Sequence, residues 1–97
     1  MRFGEVSLDP DTYICEVAHQ RVSLTLTEFK LLLLLVKAGG KVLSRSALIT
    51  SALGPGVVVT DRTIDVHITS IRKKLGEMGD IIKTVRGVGY RTSLDPM

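Results

Sequence analysis

The sequence contains no Trp and no Asn, one Cys, one Gln, two Phe and two Tyr. Each scarcity excludes something. With Cys15 the only thiol, no intrachain disulfide can form, and the fold has no need of an oxidising compartment. With His19 and His67 the only histidines, no ligand set has metal-binding spacing, so neither a metal nor another cofactor is expected. Few aromatics mean a mostly aliphatic core, and they argue against a surface that stacks single-stranded bases. Tyr90 is therefore read as a packing residue.

Long apolar runs are also missing. The longest, Leu31 to Val36, covers six residues, whereas a membrane span takes about 20. The opening Met1-Arg2-Phe3-Gly4-Glu5 lacks a signal-peptide core, and a cytoplasmic location is expected. Catalytic patterns are absent too. Gly39-Gly40-Lys41-Val42 has Val where a phosphate loop needs Ser or Thr. His67 has no orienting acid on its own helix face, because Asp65 points elsewhere. No catalytic residue is assigned, and no small-molecule substrate is expected.

What is present is a chain of 97 residues, 44% hydrophobic and 24% charged, of a size for one domain over residues 1–97. Residues 1–40 carry a net charge of −1 and residues 41–97 a net +4. That asymmetry points to a polyanionic partner for the second part.

Residues 1–24 read as a small antiparallel sheet. Val6 and Leu8 alternate with polar neighbours, as do Tyr13, Cys15 and Val17, and then Val22 and Leu24. Asp9-Pro10-Asp11 and Ala18-His19-Gln20 supply turns, and Arg2-Phe3 can add a short edge strand. Residues 25–75 read as three helices. Thr25 and Glu28 match a capping box ahead of a first helix that runs to about Ala38 and stops at Gly39-Gly40. Ser44 can cap a second, about Arg45 to Leu53, with Ala47, Leu48 and Ala52 inward. Asp61 can cap a third, about Arg62 to Leu75, whose Ile64, Ile68, Ile71 and Leu75 form a core stripe. Residues 81–93 then read as a hairpin, with strands Ile81 to Val85 and Tyr90 to Thr92 around Arg86-Gly87-Val88-Gly89. The fold class is α+β, a winged helix-turn-helix.

Opposite the isoleucine stripe lie Arg62, Val66, Thr69 and Lys73, with Thr63 and Ser70 beside them. A merely solvated face would carry Glu and Lys pairs at helical spacing. This one mixes a β-branched apolar residue, hydroxyls and cations, and suits a major groove, where Val can meet a thymine methyl and hydroxyls can meet base edges. Arg86 at a Gly-flanked hairpin tip suits a narrow minor groove. With no Asn, and Gln20 in the sheet, bidentate amide reading of adenine by the third helix is excluded.

Four motifs carry a family resemblance. They are Leu24-Thr25-Leu26-Thr27-Glu28-Phe29 with Leu31-Leu32, then Leu43-Ser44-Arg45, then Thr63-Ile64-Asp65-Val66-His67-Ile68 with Ile71-Arg72-Lys73-Lys74-Leu75, and finally Thr84-Val85-Arg86-Gly87-Val88-Gly89-Tyr90-Arg91. In order and spacing the chain resembles the OmpR/PhoB-type effector domain of bacterial two-component response regulators. The resemblance implies a four-stranded N-terminal sheet, three helices and a C-terminal hairpin wing. It further implies double-stranded DNA binding and transcriptional regulation. Arg62–Leu75 would be the recognition helix and Arg86 the minor-groove residue. Arg62, Thr63, Arg72 and Thr84 would meet the DNA backbone, while Val66 and Ser70 would read bases. The loop Gly54, Pro55, Gly56, Val57, Val58, Val59, Thr60 matches the one such regulators present to RNA polymerase. A homodimer on direct-repeat half-sites is the implied assembly.

The chain departs from the family pattern at Leu26, usually Pro, and at Leu53, usually Trp. It departs again at Thr69 and Ser70, where many relatives carry at least one Arg or Lys, so a relative's target sequence does not transfer. Two other readings stay open from the residues alone, a winged-helix protein-interaction module and an RNA-binding winged helix.

Overall fold

The computed structural model describes residues 1–57 and 59–93. Val58 of the expected polymerase loop and residues 94–97 of the expected domain lie outside the described residues.

Strands β1 (Arg2–Phe3), β2 (Val6–Asp9), β3 (Ile14–Val17) and β4 (Gln20–Val22) form an antiparallel sheet in sequence order. Val6 pairs with Val17 and Leu8 with Cys15, so strand alternation turns Val6, Leu8 and Cys15 into the core. Burial pushes the Cys15 thiol up to about 11, with Glu16 adding to the shift, and keeps it protonated and inert. Two residues depart from the expected strands. Tyr13 stands outside β3 at φ 57, exposed, with its ring edge-on to Phe29 at 5.4 Å. Leu24 lies beyond the end of β4. Ala18 and His19, at φ 50 and 67, form a two-residue turn between Val17 and Gln20.

Helix α1 (Leu26–Lys37) starts with the capping box. Thr25 Oγ1 accepts from Glu28 N at 3.2 Å, and Glu28 Oε1 accepts from Thr25 N at 2.9 Å. The helix is apolar on most of its surface because it lies between α2, α3 and the wing. It buries Phe29, Leu31, Leu32, Leu35 and Val36.

Strand β5 (Leu43–Ser44) leads directly into α2 (Arg45–Leu53), and Ser44 Oγ accepts from Ala47 N. Leu48 and Ala52 are buried, but Ala47, expected inward, is exposed in the first turn. Helix α3 (Asp61–Leu75) begins one residue earlier than expected. Thr60, not Asp61, is its N-cap, and its side chain makes no capping bond. Ile64, Ile68, Ile71 and Leu75 are all buried. Each such side chain contributes roughly 1.5–3 kcal/mol of apolar burial, enough to fix the helix's rotation about its axis.

A 3-10 helix (Gly76–Ile81) takes Ile81 out of the expected strand, and the wing is β6 (Ile82–Val85) with β7 (Gly89–Thr92). Strand β7 is central, because it pairs with β5 as well as β6. A Cβ on Gly89 would collide with the Leu43 carbonyl oxygen, so glycine is required where the two strands meet. Arg91 Nε donates to Gly40 O at 3.0 Å and Thr92 Oγ1 to Leu35 O at 3.1 Å, which fastens the wing to α1 and to the turn that follows it. Among the described residues no helix is long and apolar enough to cross a membrane.

Candidate nucleic-acid interface

With its isoleucine stripe inward, α3 must turn the opposite face outward. Arg62, Val66, Thr69 and Lys73 are exposed, Val66 by 59%. An open depression along this face is lined by Arg62, Asp65, Val66, Thr69, Ser70 and Lys73. The fold thus brings together five of the nine residues singled out for DNA contact. Thr84 and Arg86 lie apart from them and exposed on the wing, while Thr63 and Arg72 sit half-buried on the flanks of α3.

The charges on this side divide into committed and uncommitted sets. Lys74 Nζ donates to Glu28 Oε1 at 2.7 Å, and Arg45 Nε to Asp65 Oδ1 at 2.8 Å. These are the ion pairs of the described residues, and neither uses Arg62, Lys73 or Arg86. Asp65 also accepts from the Tyr90 hydroxyl. That bond, followed by Arg45, holds its carboxyl below the usual carboxylate range. The Tyr90 ring is buried, with the guanidinium carbons of Arg45 and Arg72 lying 5.5 and 5.6 Å from its centroid. The one acid in the depression is therefore neutralised locally, and the face stays cationic.

Glu28 is 3% exposed, and its carboxylate is fully engaged. Oε1 accepts from Thr25 N and Lys74 Nζ, and Oε2 accepts from Ser70 Oγ at 2.6 Å. Burial alone would push this carboxyl up, but the bonds from Lys74, Ser70 and Thr25 outweigh it and bring the pKa down to about 2. Thr69 Oγ1 donates to the Asp65 carbonyl at 2.9 Å. Arg72 donates from Nε and an NH2 group to Ile82 O, and from the same NH2 group to Thr84 Oγ1. Two of the four residues expected on the DNA backbone, Arg72 and Thr84, are thus bonded to each other.

Glu28, Arg45, Asp65, Lys74 and Tyr90 set up this surface and were not among the expected site residues. From sequence Glu28 is legible only as a local cap, and nothing in helical spacing links it to Ser70 or Lys74. The acid-free stretch Val66–Leu75 is a partial signal, since it leaves Asp65 as the acid next to a cationic face.

Residues 19–92 match the family described as transcriptional regulatory protein, C terminal. The chain is 41% identical over 92 residues to the phosphate regulon transcriptional regulatory protein PhoB of Rhizobium meliloti, covering 93% of this chain and 40% of PhoB. It is 44% identical over 87 residues to the response regulator protein PmrA of Pseudomonas aeruginosa, covering 90% of this chain and 38% of PmrA. It therefore spans about two fifths of the length of these relatives. The Klebsiella pneumoniae RstA DNA-binding domain, solved in complex with RstA box, superposes with a TM-score of 0.83 at 32% identity, covering 96% of this chain and 95% of that one. The four-stranded sheet, three helices and C-terminal hairpin are shared with such domains, and the chain belongs to the OmpR/PhoB-type family of transcriptional regulatory protein C-terminal domains.

Proposed function

We propose that this chain binds double-stranded DNA sequence-specifically, as the effector domain of a transcriptional regulator. The observation that carries the reading is the outward face of α3, where uncommitted Arg62 and Lys73 bracket Val66, Thr69 and Ser70. In this reading α3 enters the major groove and Arg86 reaches the adjacent minor groove. Arg62, Thr63 and Lys73 meet the phosphate backbone. Arg72 and Thr84 act mainly by setting the angle between helix and wing. Residues 54–60 face RNA polymerase, and two copies sit on direct-repeat half-sites. Residues 1–97 act as one unit. The RstA DNA-binding domain, solved in complex with RstA box, supports the DNA reading by likeness.

Selection of bound duplexes from a random pool tests this, followed by a salt titration on the winning site. About five phosphate contacts give a log–log slope of roughly −4 to −5. A slope near zero would exclude DNA as the partner. Better competition by duplex RNA than by duplex DNA would favour an RNA-binding winged helix instead.

A further inference from the structure

A hydroxyl has one proton and two lone pairs, so the partner that takes the proton decides what remains for a ligand. Ser70 Oγ donates to Glu28 Oε2, and the carboxylate, deprotonated throughout the neutral range, can only accept. Thr69 Oγ1 donates to the Asp65 carbonyl, which likewise can only accept. Both protons are directed into the protein. The hydroxyls lining the depression on α3 therefore face outward with lone pairs alone.

In the major groove the base donors are the adenine N6 and cytosine N4 amino groups. One turn back along the same depression is Val66, 59% exposed, presenting its methyl groups. An apolar methyl prefers the C5 methyl of thymine. Among the four base pairs as read in the major groove, only A·T and its inverse offer an amino donor and a methyl together.

We propose that Thr69 and Ser70 form an acceptor-only patch that, with Val66, selects A·T pairs through the adenine amino group and the thymine methyl. This rests on the DNA reading above. It supplies adenine recognition to a helix that has neither Asn nor Gln. Glu28, out of reach of the groove at 3% exposure, is the positioning residue that sets the polarity of Ser70.

The test begins with the best duplex selected from a random pool by the full chain. Each dA under α3 is replaced by 2-aminopurine, which moves the amino group to the minor groove, and each dT by dU, which removes the methyl. At one or two A·T pairs, 2-aminopurine should weaken the wild type about fivefold, as loss of one hydrogen bond does. It should leave the Thr69→Val/Ser70→Ala double variant unaffected. Removing the methyl should cost about threefold, an effect lost in Val66→Ala. Glu28→Gln tests the polarity directly. Its amide oxygen keeps Thr25 and Lys74, its NH2 donates to Ser70, and the serine proton turns outward. That variant should now accept a guanine at the Ser70 pair. A wild type indifferent to 2-aminopurine at every position overturns the inference, and so does a selected α3 footprint made only of G·C pairs. Failure to bind any duplex overturns the DNA reading itself. Should Glu28→Gln not fold, the double variant still decides.

Discussion

The guanidinium of Arg72 donates to the hydroxyl of Thr84 across 2.9 Å, joining α3 to the first strand of the wing. The same group holds the Ile82 carbonyl, so one side chain fixes the angle between the two elements. Arg72→Ala should lower stability by about 1–2 kcal/mol, and Arg72→Lys should recover only part because it lacks the planar fork. Affinity should fall for all duplexes together, without a change of preferred sequence. Denaturant melts and binding to two unrelated selected sites check this. A changed preference with unchanged stability would make Arg72 a base reader instead.

Arg86, exposed at the tip between β6 and β7, should favour an A·T-rich edge to each half-site. There the minor groove is narrow and lacks the guanine amino group. The wild type should prefer the A·T version of two duplexes differing only at that edge, and Arg86→Ala should bind both alike. Full preference retained by the mutant would leave the wing a structural hairpin.

Glu28 links stability to acidity. Its folded pKa, about 2, lies below the ordinary 4.5, so the unfolded chain binds its proton more readily. The stabilisation is complete above about pH 5 and lost as pH falls through 4.5 towards 2, on the order of 3 kcal/mol. Urea melts between pH 7 and 2.5 should show wild type and Glu28→Gln converging on the acid side. A gap independent of pH would mean that the carboxylate charge contributes nothing.

Gly89→Ala should open the junction between β5 and β7, because the new methyl meets the Leu43 carbonyl oxygen. A loss of about 2 kcal/mol or more is expected. Amide exchange should be fastest at Leu43, Tyr90 and their neighbours, and faster exchange confined to the β6 side would contradict the pairing.

Ala18 holds a left-handed conformation at φ 50 without the freedom of glycine. Ala18→Gly should raise stability by about 1 kcal/mol, or roughly 4–8 °C in Tm for a domain of this size. An unchanged or lowered Tm would show that the turn relaxes at no cost.

Much of this architecture can be read in the chain. Helix α1 is legible because Thr25 and Glu28 cap it and an apolar run follows. Helix α3 is legible because four buried residues recur at helical spacing. What stayed hidden was either too short or too far apart. Two residues, Leu43 and Ser44, have no period, so the third strand beside the wing left no trace. Helix α2 has nine residues and a weak apolar stripe, too little to show from sequence that Ala47 faces outward. The outward face of α3 was visible in composition. Its hydroxyl polarity was not, since Ser70 and Glu28 meet across 42 positions of sequence. Local rules see Glu28 as a cap and miss its second task.

The central position of β7 has a mechanical consequence. That strand is bonded on one side to β6 and on the other to β5, which continues without a break into α2. Arg91 and Thr92 fasten it again at Gly40 and Leu35. Arg72, bonded to Ile82 and Thr84, and Tyr90, bonded to Asp65, tie α3 to the same strands, so the wing that carries Arg86 and the outward face of α3 form one frame, like the two jaws of a locked calliper. If α3 and Arg86 engage neighbouring grooves as proposed, such a frame gauges the offset between the grooves as well as their chemistry. A duplex with the right bases but the wrong local twist would have to deform before both jaws could close on it.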